Sequence, residues 1–199
     1  LAYVAAISAD RRLRRYHLFG RLWRPEMARF KEIFVLGLPI GGTILAEARL
    51  FSGAAVLMGW IGQAELAGHT IALQIAAFAF QVPFGIGQAA TIRVGFHYGA
   101  RNREGISNAG WAAIALGGGF MTVTASLLWL FPREIISVYV DIHDPVNAAL
   151  IGFAVQFMAI AALFQLFDGL QAVTAGALRG LQDTKVPMAI AVFGYWLPG

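Results

Sequence analysis

Charged residues fall along this chain in clusters, and the intervals between them outline its elements. No Asp, Glu, Lys or Arg occurs from Leu66 to Ile92 (27 residues), from Gly105 to Pro132 (28 residues) or from Pro145 to Phe167 (23 residues). The stretch from Ile33 to Trp60 is broken only by Glu47 and Arg49. Uncharged apolar runs of about 18 residues or more are candidate membrane spans. The pattern predicts four full spans, at about 33–61, 66–94, 107–131 and 147–178, with partial spans at 1–9 and 186–199. Strands of a membrane barrel alternate over about ten residues between turns, and these runs are far longer. The expected fold class is therefore an all-α membrane protein, a polytopic helical bundle.

Composition agrees. Of 199 residues, 58% are hydrophobic and 13% charged, against about 25% charged in a typical soluble domain. Mean hydropathy is +0.66. There is no cysteine, which excludes disulfides, thiolate metal sites and cysteine nucleophiles. Both ends of the sequence fall inside apolar runs, so the expectation is an internal piece of a longer membrane protein.

The net charge of +4 changes the picture through its distribution. Eight basic residues lie at 11–31, three more are Arg93, Arg101 and Arg103, and two are Arg179 and Lys185. If the spans alternate, these 13 of 15 share one side. The positive-inside rule then makes the loops at 10–32, 95–106 and 179–186 cytoplasmic and turns 62–65 and 132–146 outward.

Glu47, Arg49 and Asp168 lie within spans, where ionisable groups are costly and by default functional. At about 1.5 Å per helical residue, Asp168 sits roughly 16 Å from Arg179, and Glu47 roughly 22 Å from Glu32. In a hydrocarbon core of about 30 Å both are near the middle, and in one bundle the two carboxylates would face one cavity. Each has a plain structural alternative, a hydrogen-bonded carboxylate in a helix contact. Arg49 is two residues from Glu47, and such positions do not share a helix face. Gln165 and Gln171 lie one turn to either side of Asp168. Gln74, Gln81 and Gln88 recur every seven residues and so share one face, either lining a cavity or bonding between helices. Pro39 and Pro83 would interrupt their helices.

Other patterns fail. Gly85-Ile-Gly87-Gln-Ala-Ala90 resembles a dinucleotide fingerprint, but it lies within a span rather than between a strand and a helix. The four histidines show no metal spacing, and no P-loop is present.

The runs "LGLPIGGTILAEARLF" (36–51), "AGHTIALQIAAFAFQVPFGIGQAATIRVG" (67–95) and "DGLQAVTAGALRGLQDTKVPM" (168–188) resemble the C-terminal half of NorM-type multidrug and toxic-compound extrusion (MATE) transporters. The resemblance implies a twelve-helix fold of two lobes, with this chain supplying one incomplete lobe. Residues 1–9 would end a preceding transmembrane helix and 10–32 would form a basic cytoplasmic inter-lobe linker. Residues 33–199 would form the C-terminal lobe, its last helix (186–199) truncated. It also implies antiport, without a cofactor, of cationic amphipathic drugs against Na⁺ or H⁺ across the bacterial inner membrane. The intact protein would be a monomer, and the N-terminal lobe would be a partner absent here. By motif, Glu47 and Asp168 take the positions of cation-binding acids, a possible Na⁺ site. Phe164 stands where some members have a tyrosine, which removes an oxygen. Gln74, Gln81, Gln88, Phe164, Gln165 and Gln171 are candidate lining residues. The rival readings are a lipid-linked oligosaccharide flippase, an inert fragment without its second lobe, and an intramembrane enzyme, for which no catalytic motif exists.

Overall fold

In a computed structural model, residues 26–196 are described. The expected partial span at 1–9 and most of the basic segment at 10–32 lie outside the described residues. Six helices follow in order: α1 (Met27–Ile61), α2 (Gln63–Gly99), α3 (Arg103–Leu130), a short α4 (Pro132–Ile136), α5 (Ala148–Gly180) and α6 (Lys185–Trp196). A 3-10 turn, Pro145–Asn147, precedes α5. No strand occurs among the described residues. Among the described residues, four segments are long and apolar enough to cross a membrane: α1, α2, α3 and Pro145–Gly180.

The helices outrun the apolar intervals because local chemistry, rather than hydropathy, ends them. Asn102 caps α3, its side-chain oxygen accepting from the Gly105 N–H at 2.9 Å. Such a cap satisfies one of the donors a helix start leaves unpaired. Between α2 and α3 the chain turns at Arg101 with φ 55°. Asp144 accepts from the Val146 N–H at 2.9 Å and so starts the 3-10 turn. Gln182, φ 65°, turns the chain after α5. Pro39 and Pro83 sit inside continuous helices and are buried.

Two compact units divide at Leu38/Pro39. In the first, the opening turns of α1 carry an exposed Arg29–Glu32 ion pair at 3.0 Å. In the second, α2, α3 and α5 approach one another closely along their backbones, α2 and α5 most extensively. No helix pair involving α1 or α6 is comparable. Contacts of α1 beyond Pro39 pass through side chains, such as Ala46 against Ala191 of α6.

Glycine allows the α2–α5 approach. A methyl group added to Gly87 would lie 2.9 Å from the Ala172 carbonyl oxygen, and one on Gly176 would overlap the Gly87 carbonyl. Beside this contact the Thr91 hydroxyl lies 2.7 Å from the Gly176 carbonyl oxygen and 3.0 Å from that of Gly87. Small residues and interhelical hydrogen bonds are what hold helices together in lipid, where apolar burial gives no preference for protein over lipid tails. Ala172 and Gly176, one turn apart, thus serve as a contact surface for α2. Large apolar side chains such as Phe78, Trp111 and Trp129 point outward, as lipid-facing residues do.

Candidate functional site

A cavity of about 490 Å³ lies between α1, α2 and α5. Each helix presents one face to it. From α1 come Glu47, Leu50, Phe51 and Ala54; from α5 come Phe157, Ile160, Ala161, Phe164, Gln165 and Asp168. From α2 come His69, Ala72, Leu73, Ala76, Ala77 and Phe80. These are i, i+3/i+4, i+7 series, the spacing that keeps side chains on one side of a helix. The lining is apolar except for Glu47, His69, Gln165 and Asp168. Phe51 and Phe164 meet edge to face across it, with ring centroids 5.9 Å apart.

The cavity thus brings Glu47 and Asp168 together with Phe164 and Gln165. Gln171 instead lines a second cavity of about 350 Å³ between α1, α5 and α6, together with Thr43, Thr174, Arg179 and Thr184. Gln74, Gln81 and Gln88 are exposed and reach neither cavity. At about 100° per residue, the three glutamines centre roughly 110° around α2 from the middle of the cavity-lining residues, so they occupy an adjoining, exposed face. The Gln81 amide turns back to the Ala77 carbonyl at 3.5 Å.

Two features escape a reading of the sequence; Arg49, by contrast, is exposed and off the cavity lining, as its place two residues from Glu47 implies. Gln165, only 2% exposed, donates from Nε2 to the Thr124 hydroxyl of α3 at 3.3 Å. His69 packs edge-on against Phe157, centroids 5.9 Å apart and planes at 90°, and so its ring is held at the cavity wall. Projecting α2 on a helical wheel would have placed His69 with Ala72, Ala76 and Phe80.

The Thr124 contact fixes the Gln165 amide. The Thr124 hydroxyl has backbone acceptors at Phe120 (3.2 Å) and Met121 (3.1 Å), so its oxygen is left to accept from Gln165. Thr124→Val removes that acceptor and strands a buried N–H₂, which costs about 1–3 kcal/mol. We expect a lower midpoint in thermal unfolding of the solubilised protein, restored by Thr124→Ser. An unchanged midpoint in Thr124→Val would show that the contact holds nothing.

Comparison with known proteins follows the same outline. The family described as MatE matches residues 39–198. A probable multidrug resistance protein NorM of Mesorhizobium japonicum is 50% identical over 192 residues, covering 96% of this chain and 41% of the relative. One from Brucella suis is 50% identical over 185 residues, covering 93% and 39%. The multidrug resistance protein NorM of Burkholderia vietnamiensis is 42% identical over 182 residues, covering 92% and 39%. The chain thus spans about two fifths of the length of the curated relatives it matches.

Proposed function

The chain belongs to the MatE family, and from that premise we propose that it forms the carboxy-terminal lobe of a multidrug exporter exchanging cationic amphipathic drugs for Na⁺ or H⁺. Relatives at 50% identity are named as multidrug resistance proteins. The observation that supports the coupling is that Glu47, on α1, and Asp168, on α5, line one largely apolar cavity. A carboxylate out of water is stabilised by whichever cation reaches it. A coupling ion and a cationic drug compete for the same negative charge. Exchange follows when the two loaded forms favour different conformations, with one lobe rocking against the other. The aromatic wall of Phe51, Phe80, Phe157 and Phe164 suits the apolar part of the drug and, through the ring faces, its charge.

On this reading the remainder of the protein covers the exposed face of α2, because amides at membrane depth need protein or water beside them. Gln74, Gln81 and Gln88 then meet the other lobe or the passage between the lobes. The basic loops lie in the cytoplasm, and the membrane is the bacterial inner membrane. A lipid-linked oligosaccharide flippase would call for arginine or lysine in the cavity, and its lining includes neither.

The test is transport by the full-length protein in vesicles, with an imposed Na⁺ gradient and then a pH gradient. Export of a cationic dye driven by one of these is expected. Export driven by neither would refute the antiport reading.

A further inference from the structure

Two buried side-chain atoms have no hydrogen-bond partner among the described residues: Nε2 of His69 and Oε1 of Gln165. They come from different helices, α2 and α5, and both residues line the cavity that holds Glu47 and Asp168. We propose that His69 and Gln165 form a hydrogen-bonding subsite that favours guests carrying N–H on their cationic nitrogen over fully substituted ammonium ions. The proposal rests on the cation-export reading and adds to it a rule of selection.

A buried polar atom left without a partner is costly, and the two residues that carry these atoms share one cavity wall. Their chemistry limits the guest. An amide oxygen can only accept, and an imidazole nitrogen accepts in the tautomer that carries its proton on the other nitrogen. The Thr124 O–H is directed to the Phe120 and Met121 carbonyls, so its oxygen accepts from Gln165 Nε2 and leaves the Gln165 oxygen without a donor there. The His69 ring is held against Phe157. Both acceptors are therefore positioned before a guest arrives. The remaining lining, other than the two acids, is alkyl and phenyl, which takes a protonated amine and its quaternary counterpart about equally. Directional acceptors separate the two, because a quaternary nitrogen has no N–H to give.

The experiment compares a tertiary-amine dye, cationic at the assay pH, with its N-methyl quaternary counterpart. Binding to the purified full-length protein and efflux from vesicles are both measured. The wild type should favour the amine by about tenfold, the scale of one or two well-made hydrogen bonds. Gln165→Met and His69→Phe, each close in shape to the original, should each shrink that ratio to about threefold or less, by the same reasoning. A wild-type ratio near one overturns the proposal, as would follow if a water molecule served both atoms. A ratio above one that neither variant alters also overturns it, since the carboxylates would then carry the preference. Should either variant fail to fold, the wild-type ratio and the other variant decide. If the wild type binds and exports neither dye, the cation-export reading itself fails.

Discussion

Asp168→Asn in the full-length protein is expected to abolish gradient-driven export while leaving its abundance in the membrane unchanged. Asparagine keeps the shape of the side chain and much of its hydrogen bonding, and removes only the charge. The cavity offers little to replace that charge, since its other polar lining is Glu47, His69 and Gln165. Removing a charge-assisted interaction from a site of this kind costs about 1.5–3 kcal/mol, or roughly tenfold to a hundredfold in affinity for the cation. Glu47→Gln should act in the same direction. If one ion bridges the two acids, the double variant should lose less than the sum of the single losses, because both remove the same interaction. Efflux of a cationic dye against an imposed ion gradient, with immunodetection of the protein, reads all three variants. Wild-type export by Asp168→Asn would remove Asp168 from the coupling site.

The second large effect is on stability. Gly176→Leu should lower the stability of the solubilised protein by about 3 kcal/mol or more, the upper range for overpacking. Even the first carbon of the new side chain would overlap the backbone carbonyl of Gly87. A backbone atom has no rotamer to change, so α2 and α5 must separate. That separation also strains the 2.7 Å contact of Thr91 with the Gly176 carbonyl. Gly152→Ala is the control. Position 152 has open space where the methyl would go, and replacing a mid-helix glycine with alanine is neutral or favourable by about 1 kcal/mol. Equal midpoints of thermal unfolding for Gly176→Leu and the wild type would show that α2 and α5 are not held by this contact.

The lengths of the uncharged runs made the helices legible, because in lipid a helix must be long and nearly free of charge. They did not reveal the helix ends, which Asn102 and Asp144 set by hydrogen bonding outside the apolar runs. The common depth of Glu47 and Asp168 could be reckoned from helical rise, and both line one cavity. The seven-residue spacing of Gln74, Gln81 and Gln88 established that they share a face. It could not say which way that face points, since periodicity fixes relative and not absolute orientation. His69 was hidden for a related reason. One histidine in an apolar run looks the same whether its nitrogen meets lipid, protein or a cavity. The Thr124–Gln165 contact depends on which helices are neighbours, information that no local window contains.

The two acids stand on unlike supports. Asp168 is on α5, which is pressed backbone to backbone against α2 and α3, whereas Glu47 is on α1, which has no comparable backbone contact. The distance between the carboxylates is therefore set by the side chains that seat α1 beyond Pro39 rather than by close backbone packing. On the antiport reading, a cation held by both acids would tie the occupancy of the cavity to its width. A bulky guest held by one acid and a small ion clasped by both would leave α1 at different distances from the rigid block. On that reading, the difference in spacing would be a signal that the rest of the protein could follow without contacting the ion at all.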